Sequence, residues 1–295
     1  MSLSPVFTGV CTALVTPFTN DKVDLKALDA LIERQIDAGV PALLTCGTTG
    51  EPSTLTIEEW TMVVRRTVER TKGRAKVIAG TGSNNLQHTL EKAHIARDLG
   101  ADAQLCVTPY YNKTTQDGLI AFFSRIADAG DLPIILYNVP ARTGLSMHPD
   151  TVERLSHHEN IAGVKEAAGS LNSVAEILRL CSLPLYCGND ELNAPALRLG
   201  ACGLISVLSN VCPEEVVRLY KEVVSGNHKT AEARQLSLTP LISALFCETS
   251  PVPVKTALAM CGWCRDEVRL PLIRMREENR RILKAALSEK GLLKN

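Results

Sequence analysis

A short apolar run followed by an amphipathic one recurs eight times along this chain, and few folds accept so long a series of one unit. The apolar runs fall at 9–17, 42–46, 76–80, 103–108, 133–138, 161–165, 185–187 and 203–208. They are rich in Val, Ile, Leu and small residues, the composition of strands covered on both faces. The amphipathic runs fall at 25–38, 57–71, 86–99, 116–129, 149–156, 171–180, 192–199 and 213–224. In the first of these, Leu28, Leu31, Ile32 and Ile36 keep the spacing of one helix face. Gly39, Gly100, Gly130 and Gly200 stand where helices stop. Eight βα units with short connections predict a (β/α)8 TIM barrel over residues 1–226. A doubly wound open sheet is the alternative, but it usually has fewer strands, and no G-x-G-x-x-G follows the first run. Residues 227–295 hold three further helical stretches, at 229–246, 253–261 and 273–287, interrupted by prolines. They predict a C-terminal helical appendage packed on the barrel.

Charge and cysteine usage narrow the function classes. Thirty-two Lys and Arg balance 32 Asp and Glu, so there is no field to neutralise phosphates and no nucleic-acid partner is expected. No apolar run approaches the ~20 residues of a membrane span, and the first residues lack the basic start of a signal peptide. A cytoplasmic protein with no membrane partner is expected. Of ten cysteines, Cys11, Cys46, Cys106, Cys187 and Cys202 sit in apolar strand-like runs, where a thiol is a small hydrophobe, and reduced thiols are expected in a cytosolic chain. Cys261-Gly262-Trp263-Cys264 has redox or zinc spacing, but it follows no strand and no second ligand pair accompanies it.

A barrel places its chemistry at the C-terminal ends of its strands. Those ends carry hydroxyls, amides, tyrosines and one lysine, and no histidine. A zinc site built on imidazole is therefore not expected, and no metal is assigned. His157 and His158 read as a solvated helix end. Lys165 stands out at the end of Ile161-Ala162-Gly163-Val164. A strand lysine ordinarily snorkels or pairs, yet its neighbour Glu166 points to the opposite face of the strand. An amine kept from water attacks carbonyl carbon. Tyr137 ends the preceding strand as a candidate proton shuttle, with Arg142 in its loop as a carboxylate clamp. Gly47-Thr48-Thr49-Gly50 lacks the ending of a P-loop and suits a smaller anion, although alone it reads equally as a plain turn.

Five stretches in order give these residues a family likeness: Gly47-Thr48-Thr49-Gly50-Glu51, Thr108-Pro109-Tyr110-Tyr111-Asn112, Tyr137-Asn138-Val139-Pro140-Ala141-Arg142-Thr143-Gly144, Val164-Lys165-Glu166-Ala167 and Gly203-Leu204-Ile205-Ser206-Val207. The chain resembles the dihydrodipicolinate synthase branch of the pyruvate-dependent Schiff-base aldolases over nearly its whole length. The resemblance implies a covalent imine between Lys165 and pyruvate, with no other cofactor. Thr49 and the backbone of Ile205 would hold the pyruvate, and Gly188 would line the pocket. Tyr137 would move protons, linked through Thr48 to Tyr111 of a neighbouring subunit. Arg142 would bind the carboxylate of L-aspartate-4-semialdehyde. The implied product is 4-hydroxy-tetrahydrodipicolinate, on the diaminopimelate route to lysine, and the implied assembly is a homotetramer, a dimer of dimers.

Two positions depart from the family pattern. Ala168 replaces a frequent Ser or Thr, and Asn189 stands where Asp is common. Regulated relatives bind lysine at a subunit interface, and the matching positions are Pro52, Ser53, Ile57, Trp60, Asn84, His88 and Tyr110. Ile57 and Trp60 replace histidines, and His88 replaces the glutamate that meets the effector's ammonium. Weak or absent lysine inhibition is expected, with the Trp60 ring offering partial compensation by cation–π attraction. Two competing readings are a sister lyase acting on sialic acid or a 2-keto-3-deoxy sugar acid, and a non-catalytic sensor. The first would show sugar-hydroxyl contacts after Val139-Pro140, and the second would lose Lys165 or a tyrosine.

Overall fold

The computed structural model describes residues 4–293. Eight strands close a barrel: β1 Gly9–Ala13, β2 Ala42–Thr45, β3 Lys76–Gly80, β4 Ala103–Val107, β5 Ile134–Asn138, β6 Ile161–Glu166, β7 Leu185–Cys187 and β8 Gly203–Ser206. Neighbours in sequence are neighbours in the sheet, and β8 pairs with β1 to close it. Every barrel pairing is parallel. The predicted first run, 9–17, overshoots its strand. Leu14 to Pro17 remain buried but leave the ladder to form the first βα loop, and apolar character alone does not mark where pairing ends.

The outer helices are α1 Leu25–Asp37, α2 Ile57–Thr71, α3 Leu86–Asp98, α4 Gln116–Asp128, α5 Pro149–Leu155, α6 Leu171–Leu180, α7 Asn193–Leu199 and α8 Pro213–Val224. Short polar side chains start several of them. Asp24 accepts from the Ala27 amide, Asn85 from His88 and Thr115 from Gly118, while Thr56 and Glu59 form a reciprocal capping box. Two apolar clusters result. One lies between strands and helices. The smaller fills the barrel interior with Phe7, Cys11, Leu44, Ile78, Leu105, Tyr137, Tyr186 and Ile205 among others. Phe7 and Tyr186 stack at 4.4 Å within it, and the Tyr186 hydroxyl donates to the Phe7 carbonyl at 3.2 Å.

Three more helices follow: α9 His228–Leu245, α10 Val252–Met260 and α11 Glu277–Glu289. α9 packs against α8 and α11, and α10 packs against α11. The last helix starts four residues later than its apolar pattern predicts. The Arg276 amide donates to Glu248 Oε1 at 3.0 Å, and the acidic pair Glu277–Glu278 occupies the first turn. No helix among the described residues is long and apolar enough to cross a membrane.

Candidate active site

Strand register assembles the centre of the site. Tyr137 pairs with Lys165 across β5 and β6, and Asn138 pairs with Glu166. Side chains alternate along each strand, so Lys165 and Tyr137 face the barrel interior while Asn138 and Glu166 face the helices. Lys165 is 5% exposed. Its Nζ stands 4.3 Å from the centre of the Tyr137 ring, and among the described residues no carboxylate pairs with it. Glu166 is committed elsewhere: Oε2 accepts from Asn138 Nδ2 at 2.9 Å and Oε1 from the Ala168 amide at 2.7 Å. Burial pushes the Glu166 carboxyl up from its ordinary range, and these two bonds oppose the rise.

Gly188, at the end of β7, makes room for the lysine. A Cβ there would lie 2.7 Å from Lys165 Cε and 2.8 Å from Ala167 Cβ, and the Gly188 amide donates to the Glu166 carbonyl at 2.8 Å. The two departures from the family pattern are absorbed nearby. Ala168 acts through its amide, and Asn189 Oδ1 accepts from the Gly169 amide at 3.2 Å, which an aspartate oxygen would also do.

The threonines enter from the loop after β2. Residues Thr48–Gly50 form one tight helical turn, and Thr16 Oγ1 donates to the Gly50 carbonyl at 2.7 Å. The Thr49 side chain is 5% exposed. Neither threonine hydroxyl, nor that of Tyr137, is spent on another described residue. Ile205 is buried on β8, beside Cys11 of β1. Asp190 fixes the turn beyond it, accepting from Ser206 Oγ at 2.6 Å and from the Val207 and Leu208 amides at 3.0 and 2.8 Å. A buried, unspent amine over a tyrosine ring is a site for a small carbonyl acid.

A groove of about 320 Å³ opens next to this centre, lined by Thr48, Ser53, Lys92, Tyr110, Val139 and Arg142 among others. Arg142 sits in the single turn Pro140–Thr143, and its Nη2 donates to the Ser250 carbonyl at 2.8 Å. Of the effector positions, Pro52, Ser53 and Tyr110 line the groove, whereas Ile57, Trp60, Asn84 and His88 do not. The expected role for Trp60 is corrected. Its side chain is fully buried, its indole N–H donates to the Gly80 carbonyl at 3.2 Å, and the protein's own Lys92 Nζ lies 5.7 Å from its ring centre. Burial pulls the Lys92 ammonium down from its ordinary range.

The fold brings Lys165 and Tyr137 together, but no hydrogen bond joins Thr48 to Tyr137 among the described residues, and Tyr111 points away from them. Its backbone φ is +67° and its side chain is 92% exposed. His157 and His158 pair with Glu153 and Asp128 on the surface. Sequence reasoning gave no role to Lys255, which is fully buried and paired to Glu51.

Residues 6–290 match the Dihydrodipicolinate synthetase family. The chain belongs to that family. The 4-hydroxy-tetrahydrodipicolinate synthase of Thermoanaerobacter sp. (strain X514) is 48% identical over 293 residues, covering 98% of this chain and 99% of its own length. A monomeric dihydrodipicolinate synthase variant superposes with a TM-score of 0.96 at 40% identity, covering 98% of each chain. The dihydrodipicolinate synthase of Cyanidioschyzon merolae, solved with lysine bound, superposes with a TM-score of 0.95 at 38% identity, covering 98% of this chain and all of the other. Dihydrodipicolinate synthetase membership covers the barrel and the C-terminal helices alike.

Proposed function

We propose that the chain is a 4-hydroxy-tetrahydrodipicolinate synthase, a Schiff-base lyase that condenses pyruvate with L-aspartate-4-semialdehyde. The observation that carries this reading is the buried Lys165 amine over the Tyr137 ring, without a carboxylate partner among the described residues. Lys165 Nζ attacks the pyruvate carbonyl and water leaves, giving an imine that needs no added cofactor. Loss of a proton from the pyruvate methyl gives an enamine, which attacks the aldehyde carbon of the second substrate; that substrate's amine then displaces Lys165 Nζ from the imine carbon, closing the ring and freeing the lysine. Tyr137 carries protons in these steps. Thr49 and the backbone of Ile205 hold the pyruvate, Gly188 leaves space for the lysine, and Thr48 links Tyr137 to Tyr111. Because Tyr111 stands in solvent within one chain, the relay is completed by a neighbouring subunit of a homotetramer in the cytoplasm. The test is a mixture of purified protein, pyruvate and aspartate semialdehyde, followed for cyclic product. Cleavage of N-acetylneuraminate without condensation would overturn the assignment.

Arg142 lines the groove without a carboxylate of its own, so it orients the acid end of the second substrate. Arg142→Ala is expected to raise the KM for aspartate semialdehyde about ten- to a hundredfold, the equivalent of one lost charge-assisted contact of about 1.5–3 kcal/mol. Pyruvate imine formation should change little. Equal losses in both half-reactions would show instead that Arg142 shapes the whole site.

L-Lysine is expected to inhibit weakly. His88 offers no carboxylate to an ammonium group, Trp60 is sealed in the core, and Lys92 adds a cation to the groove. Initial rates against L-lysine at fixed substrates and near-neutral pH measure this. Strong inhibition well below roughly 1 mM, a binding free energy beyond about 4 kcal/mol, would contradict it.

A further inference from the structure

The most deeply buried ion pair among the described residues lies outside the catalytic centre, yet it holds one of its loops. Glu51 follows the Thr48–Gly50 turn directly and takes the left-handed backbone, with φ at +53°. Its amide donates to the Thr48 carbonyl at 3.2 Å. Its carboxylate is fully engaged by the C-terminal region. Lys255 Nζ of α10 donates to Oε1 at 2.6 Å, and the Arg269 amide donates to Oε2 at 3.2 Å. Both side chains of the ion pair are almost wholly excluded from solvent. Lys255 Nζ also lies 4.0 Å from the centre of the Phe18 ring, and the Arg269 guanidinium lies 4.4 Å from it. Arg269 then reaches the Thr54 carbonyl and both oxygens of Glu59. The loop after β2 is thus tied to the C-terminal region at Glu51 and Thr54, and the first turn of α2 is tied to it at Glu59.

A buried ion pair is a poor source of net stability, because desolvation offsets its attraction. What it supplies is direction. A left-handed backbone on a residue other than glycine persists only when its surroundings over-determine it, and here the surroundings are Lys255 and Arg269. We propose that the Glu51–Lys255 pair is a positioning device that sets the Thr48–Thr49 turn for the pyruvate carboxylate, making the C-terminal helices part of the site. This rests on the reading of Thr49 as a pyruvate ligand. Glu51 and Lys255 are positioning residues: Glu51 lines the groove, but both its carboxylate oxygens are taken by Lys255 and the Arg269 amide.

The experiment compares the parent with Lys255→Met and with Glu51→Gln/Lys255→Met in the full-length protein. The double variant removes the unpaired buried charge, so it folds where the single one fails. Two readouts are taken: amide hydrogen exchange of the segment 47–54, and KM for each substrate. Exchange in that segment should quicken by about tenfold or more in the double variant, while the barrel strands stay protected. The pyruvate KM should rise about ten- to a hundredfold, as displacement of a binding group by about 1 Å commonly does, with the aldehyde KM within about twofold of the parent. Unchanged exchange in 47–54, or equal rises in both KM values, overturns the proposal. If exchange quickens and the pyruvate KM does not move, the clamp stands and the assignment of Thr49 to pyruvate falls.

Discussion

Lys165→Ala abolishes turnover and borohydride trapping of pyruvate, and leaves the fold in place. The expected loss is on the order of 10³-fold or more, the cost of losing a covalent nucleophile. Three structural facts isolate Lys165 as the labelled residue. It is buried in the barrel interior without a carboxylate. Lys76 is paired with Asp102 at 2.7 Å at the opposite end of its strand, and Lys113 lies in the open. Lys255, the other deeply buried lysine, is committed to Glu51. The fold survives because the lysine carries no ion pair that truncation would orphan, and removing an unpaired amine relieves a desolvation cost. Peptide mapping after reduction with pyruvate checks the site of attachment, and circular dichroism checks the fold. An adduct that persists in Lys165→Ala would end the imine mechanism as drawn.

Tyr137→Phe is expected to lower kcat by about 10²–10⁴-fold, the range of a removed general acid–base group. The ring is retained, so its packing in the inner cluster and its place over Lys165 Nζ are retained as well. Only the hydroxyl goes, and that hydroxyl is bonded to no other described residue. The loss therefore reports chemistry and not stability. Trapping of pyruvate should still reach completion, more slowly. A kcat within tenfold of the parent would show that another group moves the proton.

The barrel was legible because its strands and helices repeat one pattern, and β3, β7, α2, α6 and α8 fall on their predicted limits. Lys165 stood out because Glu166 faces the other side of the strand and Tyr137 and Arg142 lie at the end of the preceding one, which together outweigh an ordinary snorkelling or paired lysine. The Glu51–Lys255 pair was not, since its members lie 204 residues apart and nothing local joins them. One signal was available: α10 is apolar on all sides, with Val252 to Leu258 buried throughout, so its lysine had no polar face to occupy. Trp60 was misjudged for a related reason. Helix periodicity tells which face is buried, but not that Lys92 already occupies the aromatic surface expected to serve a ligand.

Alternation along β6 has a consequence for how this gene tolerates insertions and deletions. Lys165 and Glu166 are adjacent, and one faces the barrel interior while the other faces Asn138. A single-residue slip of the strand would turn the carboxylate inward and the amine outward, reversing the electrostatic sign of the pocket without changing composition. Length changes inside β6 or β5 should therefore be lethal to activity even where the barrel still closes. Equal changes at the exposed turn Lys72–Gly73, after α2, should pass almost unnoticed.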